Sequence, residues 1–169
     1  MKYTLSVLVE NQPGVLSKVT ALFSRRGFNI DSLAVGITED PAISRITIVV
    51  DGDEHIVEQV EKQLNKLIAV IKVKNLTTTG AFVSSLLMLI KVSCTTKQRL
   101  DVMKIAEQLQ ARIIDVSENS LTLQYADTLE NTETLIALLR PYGIKELVRT
   151  GAVALERGAH TANKSVNKP

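Results

Sequence analysis

The sequence contains no tryptophan, only six other aromatic residues, two histidines and a single cysteine in 169 residues. So few aromatic side chains leave little surface on which bases could stack, and we therefore expect no nucleic-acid binding. Cys94 cannot form an internal disulfide by itself, and His55 and His160 belong to no cluster with metal-ligand spacing. These scarcities predict a reducing compartment and no metal site in this chain.

Long apolar runs and phosphate-binding loops are also missing. The run Leu86–Ile90 is among the longest, and it is far shorter than the ~20 residues that a membrane-spanning helix needs. The first ten residues alternate apolar and polar side chains, unlike a signal peptide. No GxGxxG or GxxxxGK[ST] loop occurs. We expect a soluble intracellular protein that neither enters a membrane nor binds a nucleotide through these motifs.

The net charge of +2 resides at the C-terminal end. Residues 1–76 carry nine basic and nine acidic side chains, residues 77–156 carry eight and nine, and residues 157–169 carry three and none. Because neither half is strongly basic, the charge distribution does not predict binding of a polyanion such as a nucleic acid. The polar tail 158–169 is predicted to be disordered.

Hydrophobic periodicity divides the chain into two halves with the same order of elements. Alternation of period two predicts strands, and stripes of period 3.6 predict helices, with Gly27 placed to end the first helix. The first half is predicted to contain strand 3–9, helix 15–23, strands 28–37 and 43–50, helix 56–67 and strand 69–76. The second half is predicted to contain strand 86–94, helix 97–110, strands 112–116 and 121–126, helix 130–140 and strand 144–155.

Each half therefore has the β-α-β-β-α-β order of a ferredoxin-like unit. We predict the α+β class, with two tandem ferredoxin-like βαββαβ units: domain 1–76, linker 77–85 and domain 86–157. One face of such a small sheet carries the helices, while its other face and its edges are bare. Pairing of sheet edges between two copies would cover part of this surface, which predicts at least a dimer.

The segment from Glu10 to Ile30 carries the strongest indication of a binding site. Asn11 ends a strand, and Gly14 removes the side chain at the start of a helix, so backbone N–H groups of residues 14–16 can point at an external anion. Asn11 can cap this helix or bind a ligand. Asn29 offers a carbonyl oxygen to an ammonium group, and Ile30 adds an apolar wall. This combination suits a small aliphatic α-amino acid, although plain helix capping also explains the first part.

The chain resembles a known family over nearly its whole length. The segments "NQPGVLSKVTALFSRRGFNIDSLAV", "DPAISRITIVVDGDE" and "VEKQLNKLIAVIKV" are similar to the ACT domain of the small regulatory subunit of acetolactate synthase, also called acetohydroxyacid synthase. The likeness is very close over residues 1–76. It is looser over 86–157, where "LMLIKV", "ARIIDVS" and "GAVALERG" resemble the C-terminal domain of the family.

The resemblance implies a regulatory subunit in branched-chain amino-acid biosynthesis, without catalytic residues of its own. Valine, or a related amino acid such as isoleucine, would bind where two ACT domains of a homodimer meet. The implied contacts are Asn11, Gly14, Val15 and Leu16 from one protomer and Asn29 and Ile30 from the other. A catalytic large subunit would carry thiamine diphosphate, magnesium and FAD, and the compartment would be a bacterial cytoplasm or a plastid stroma.

One departure from the family and several alternatives remain. Ser85 and Leu86 stand where the family usually has charged residues, which puts contact with the large subunit in doubt. A stand-alone amino-acid sensor of the ACT type is an alternative function. An acylphosphatase-like hydrolase using Arg25, Arg26 and Asn29 is another, although arginines at a helix end are explained by the helix dipole. A PII-like nucleotide sensor and an RNA-binding domain would need clustered basic or aromatic residues, which the sequence lacks.

Overall fold

A computed structural model describes residues 1–159 of the chain. Most of the tail predicted from residue 158, including His160, lies outside the described residues. The described residues form two compact units. Unit 1 comprises Met1–Val83 and the residues from Ala152 onward, and unit 2 comprises Ser84–Gly151.

Unit 1 contains a four-stranded antiparallel sheet, the first sheet, in the order β2-β3-β1-β4. Alternate strand residues, Leu5 and Val7 among them, pack with residues of both helices in one core, so the two helices lie on the same face. This is the predicted ferredoxin-like arrangement. The elements are β1 (Lys2–Glu10), α1 (Val15–Arg26), β2 (Ile30–Ile37), β3 (Ile43–Asp51), α2 (Glu54–Leu64), β4 (Val70–Asn75) and the short helix α3 (Leu76–Thr79).

Unit 2 repeats this arrangement in a second sheet, in the order β6-β7-β5-β8. Its core is built from alternate strand residues such as Met88 and Ile90 together with one face of each helix. The elements are β5 (Phe82–Ser93), α4 (Arg99–Gln108), β6 (Arg112–Ser117), β7 (Ser120–Asp127), α5 (Leu129–Leu139), a 3-10 helix (Arg140–Tyr142) and β8 (Ile144–Arg149). A final strand, β9 (Val153–Glu156), pairs with β5.

The compact units depart from the predicted boundaries in two places. The segment 77–85, expected to be a linker, contains most of α3 and the start of β5, because the Asn75 side chain caps α3 by accepting from the N–H groups of Thr77 and Thr78. The strand expected over 144–155 is two strands. Residues from Ala152 onward group with unit 1 rather than with unit 2.

Leu86, one of the two departures from the family pattern, is buried in the core of unit 2. Its neighbour Ser85 is partly exposed on β5. Leu86 therefore has a packing role in this chain. No helix in residues 1–159 combines the length and the apolar character needed to cross a membrane.

Candidate functional site

The start of α1 is open to an external anion. Gly14 precedes the helix in a left-handed conformation with φ of 82°, which glycine adopts without steric cost. No side chain caps this helix, and no acidic residue lies in its first turn. The N–H groups at the start of a helix lack intrahelical partners, and the helix dipole adds positive potential there. This end of α1 can therefore accept a carboxylate.

Asn11 lies beside this helix start but does not cap it, so one of its two predicted roles is wrong. Its Nδ2 atom donates to the carbonyl oxygen of Pro41 at 2.9 Å, and its Oδ1 atom accepts from the Ser44 hydroxyl at 3.1 Å. Its backbone N–H also donates to the carbonyl of Ala42 at 2.7 Å. Asn11 thus holds the turn between β2 and β3 against the end of β1.

The next two predicted residues play different parts. The Val15 side chain is buried in the core of unit 1, and its N–H donates to the Gln12 carbonyl over a long 3.4 Å. At the start of the helix, Val15 can therefore contact a ligand through its backbone but not through its side chain. The Leu16 side chain is 37% exposed. Leu16 can contact the aliphatic part of a ligand whose carboxylate lies at the helix start.

Asn29 and Ile30 lie at the other end of α1, after Gly27 ends the helix. The Nδ2 atom of Asn29 donates to Asp31 at 3.0 Å, which leaves the side-chain carbonyl oxygen as an exposed acceptor. Ile30 is partly buried against the core and pairs with Val50. Asp31 also forms an ion pair with Lys2 at 3.2 Å.

Sequence reasoning missed Asp31, although its position two residues after Asn29 is a usable signal. Side chains at i and i+2 share one face of an extended chain, so a carboxylate at this spacing can hold the Asn29 amide. Because Asp31 is also paired with Lys2, its carboxylate orients the Asn29 amide rather than offering a free negative charge. Asp31 therefore positions Asn29 within the candidate site.

The two halves of the candidate site are far apart within one chain. Helix α1 has 12 residues and is therefore about 18 Å long. The register of the first sheet agrees, because Glu10 pairs with Ile43 at one end of β3 while Ile30 pairs with Val50 at the other. Seven residues of strand span about 23 Å. One small amino acid cannot reach both halves in a single protomer.

Strand β2, which begins at Ile30 directly after Asn29, is an edge of the first sheet. Its last part is apolar and exposed, with Val35 51% and Ile37 65% accessible. An exposed edge strand with apolar side chains is suited to pairing with another strand. The β2 edge is thus available to bring a second copy beside the first.

Residues 1–159 contain no group of three or more histidine, cysteine, aspartate or glutamate side chains that could hold a metal ion. The Nε atom of Arg25 donates to the Ala21 carbonyl at 3.3 Å, which supports the helix-end role of this arginine over a hydrolytic one.

Comparison with known proteins matches both units of the chain. A family model described as an acetohydroxyacid synthase small subunit-like ACT domain matches residues 5–72, and a model for the small subunit of acetolactate synthase matches residues 86–158. The probable acetolactate synthase small subunit of Archaeoglobus fulgidus is 50% identical over 158 residues, which cover 94% of this chain and 98% of that one.

Two further relatives agree. The acetolactate synthase small subunit of Mycolicibacterium smegmatis is 48% identical over 156 residues, covering 92% of this chain and 91% of that one. A crystal structure of the acetolactate synthase small subunit from Thermotoga maritima superposes with a TM-score of 0.86 at 38% identity, covering 94% and 98% of the two chains. Sequence and fold therefore match the same group of proteins along nearly the whole chain.

Proposed function

Because this chain belongs to the family of acetolactate synthase small subunits, we propose that it binds and activates a catalytic large subunit and confers feedback inhibition by valine or another branched-chain amino acid. The subunit then regulates branched-chain amino-acid biosynthesis without catalysing a reaction itself. Thiamine diphosphate, magnesium and FAD belong to the large subunit in this proposal.

The observation that carries the effector part is the separation of the two halves of the site by the length of α1. A zwitterionic amino acid that contacts Gly14 and Asn29 together must lie between two protomers. If two β2 strands pair antiparallel about a two-fold axis, the start of each lies beside the end of the other. The end of β2 is in register with Ser44, which bonds Asn11, so this pairing would assemble each site from both chains.

The chemistry of the assembled site would match the ligand from end to end. The start of α1 would bind the carboxylate through backbone N–H groups and the helix dipole. The Asn29 carbonyl, with Asp31 behind it, would bind the ammonium group of the same molecule. Leu16 and Ile30 would contact the branched aliphatic side chain, which favours valine, leucine or isoleucine over polar amino acids.

Such a site regulates by stabilising one arrangement of the two protomers. A ligand shifts an equilibrium only through its different affinity for the two states. Allosteric coupling free energies are typically about 1–3 kcal/mol, so a small change in the packing of the dimer suffices to inhibit the partner. Replacing the residues that grip the effector should therefore remove inhibition while activation persists.

Reconstitution with a large subunit tests the proposal directly. We expect this chain to raise acetolactate formation by a catalytic large subunit, and valine to reverse the increase. Asn29→Asp should retain activation but lose inhibition, because a carboxylate at this position cannot donate to Asp31 and repels it, so the acceptor for the ammonium group is no longer held in place. Asn119→Asp makes the same chemical change in an exposed turn of unit 2 and should remain inhibited as the parent is.

Other outcomes would exclude parts of the proposal. If Asn29→Asp were inhibited by valine like the parent, the assignment of the site would be wrong. If the chain bound valine but never activated a large subunit, the stand-alone sensor would be the better description. Turnover of an acyl phosphate by the purified chain alone would instead favour the hydrolase.

A further inference from the structure

The face of the first sheet opposite α1 and α2 is crossed by the C-terminal strap, which we define as Ala152–Glu156. Ser32 on β2 and Lys74 on β4 point to this face, because their neighbours Leu33 and Val73 pack in the core. The Ala152 N–H donates to the Ser32 hydroxyl at 2.8 Å, and Glu156 forms an ion pair with Lys74 at 2.5 Å. The strap therefore joins the two outer strands of the sheet.

Its length fits this crossing. Three inter-strand spacings of ~4.8 Å separate β2 from β4, which gives about 14 Å, and four steps of extended chain from Ala152 to Glu156 cover about 13 Å. Ala154, in the middle of the strap, is buried. Beyond the strap, the Arg157 N–H donates to the Ala81 carbonyl at 3.0 Å.

The strap is held by pairing of β9 with β5, but its contact with the first sheet leaves two polar atoms without partners. Among the described residues, the Ser6 hydroxyl on β1 and the Oε2 atom of Glu156 are buried without a hydrogen-bond partner. Ser6 is the register neighbour of Lys74, which binds Glu156. The Ser6 hydroxyl and the Glu156 Oε2 atom therefore both lie where the strap contacts the first sheet. A buried polar atom without a partner destabilises the arrangement that buries it. Lifting the strap would let water reach both atoms.

We infer that the C-terminal strap detaches from the first sheet without unfolding of unit 1, and that amino-acid binding at Asn29 and Ile30 shifts this equilibrium through Ser32. The second part rests on the proposed function. Ser32 lies two residues after Ile30 on β2, so any displacement of this strand by the effector acts on the bond to Ala152. Ala152 directly follows Gly151, the last residue of unit 2, so the strap continues the chain that leaves that unit.

Hydrogen exchange of the full chain, read by mass spectrometry, tests both parts. Without effector, peptides covering 152–157 should exchange at least about tenfold faster than peptides of β1, because local opening precedes global unfolding. Saturating valine should change the exchange of the strap peptides by about fivefold or more, the lower bound of a typical allosteric coupling. Calorimetry of the same samples gives the affinity for valine independently.

Ser32→Ala removes the bond to Ala152. We expect faster exchange of the strap, loss of its response to valine and a calorimetric affinity within about threefold of the parent, a change smaller than the coupling itself. Ser32→Thr keeps a hydroxyl and should retain the response. Ser24→Ala, at an exposed position of α1, is the matched control and should behave as the parent does.

Three results would overturn the inference in distinguishable ways. Equal protection of the strap and β1 would show that the strap does not open by itself. Calorimetric binding of valine without any change in strap exchange would refute the coupling while leaving the proposed effector site intact. If no branched-chain amino acid bound, the proposed effector function and the coupling would both be refuted. The comparison of strap and β1 exchange without ligand would still show whether the strap opens by itself.

Discussion

The two units share one topology but begin their first helices differently. Helix α1 follows a glycine with positive φ and has neither a side-chain cap nor an acidic residue in its first turn. Before α4, the Gln98 side-chain oxygen accepts from the N–H and hydroxyl of Thr95 at 3.2 and 3.0 Å, and Asp101 lies in the first turn. The positive end of α1 is therefore left for an external anion, whereas α4 supplies its own carboxylate.

The loops that face these helix starts show the same contrast. Corresponding backbone bonds join the end of the first strand to the following hairpin, from Asn11 to Ala42 in unit 1 and from Cys94 to Asn119 in unit 2. In unit 2 the guanidinium of Arg99 additionally donates to the carbonyl oxygens of Ser117 and Glu118 at 2.7 and 2.6 Å. A cationic side chain of the protein itself thus fastens the hairpin there.

This difference shows why a repeated fold need not repeat a binding site. Both units solve the same packing problem with the same order of strands, and function depends on the residues placed at one helix start. In unit 1 that start is left open by Gly14, and in unit 2 it is closed by Gln98, Arg99 and Asp101. Substitutions at the two helix starts and at the residues that hold the neighbouring loops should therefore affect the two units differently. Four substitutions follow, from the largest expected effect to the smallest.

Gly14→Asp should abolish effector binding, with an affinity loss of about 100-fold or more. The new carboxylate would lie where the ligand's carboxylate binds, and a side chain at positive φ adds strain. Titration calorimetry with valine measures the loss. Gln98→Asp introduces the same charge at the start of α4 and should leave valine binding unchanged; a comparable loss there would break the distinction between the units.

Arg99→Met should destabilise the chain by about 2 kcal/mol without changing effector affinity. It removes two charge-assisted hydrogen bonds that fasten the hairpin of unit 2. Urea unfolding gives the free energy, and calorimetry gives the affinity. Arg99→Lys should recover only part of the stability, because its ammonium lies on a shorter side chain than the Nη2 atom that donates to both carbonyls. An undiminished free energy of unfolding in Arg99→Met would contradict this role.

Asn11→Ala should lower the free energy of unfolding by about 1 kcal/mol and weaken valine binding moderately. The substitution removes the bonds to Pro41 and Ser44, so the turn beside the start of α1 is held less firmly. The same urea and calorimetry experiments apply. A loss of binding with unchanged stability would show that Asn11 serves the ligand directly and would sharpen the comparison with Arg99.

Asp127→Asn should have the smallest effect, a small loss of stability at neutral pH that disappears in acid. The Thr128 N–H, followed by the Asn131 amide, holds the pKa of Asp127 below its ordinary value of 3.8. A lowered folded-state pKa contributes stability above about pH 4, and this stability is lost as the pH falls through the folded-state value. The parent should therefore lose more stability than Asp127→Asn between about pH 5 and 3 in urea titrations. Parallel curves would show that Asp127 contributes nothing.

Much of this architecture is predictable from the sequence because it follows from local patterns. The alternation in β1 and the stripe in α1 reflect burial of one face, and Gly27 takes the left-handed conformation that ends the helix. The order of elements then specifies the ferredoxin-like topology. The open start of α1 was predictable for the same reason, since Gly14 and the absence of acidic neighbours can be read directly.

The features that escaped prediction depend on contacts between residues distant in sequence. The strand β9 looks like a continuation of β8 because both contain valine and leucine. It is distinguished by its own pairing with β5 and by the contacts of Ala152 and Glu156 with the first sheet. Likewise, the choice of Asn11 between capping α1 and bonding Pro41 is decided by the position of the turn before β3, 30 residues along the chain. Local periodicity carries no information on either point.

The length of α1 has a consequence for how the proposed regulation depends on concentration. If each effector site is completed by a second copy, dilution that separates the copies also dismantles the sites, and apparent affinity for valine falls with protein concentration. Conversely, the amino acid promotes association, since it binds only the paired form. A cell that makes little of this subunit would thus respond only at higher valine concentrations than one that makes it in excess.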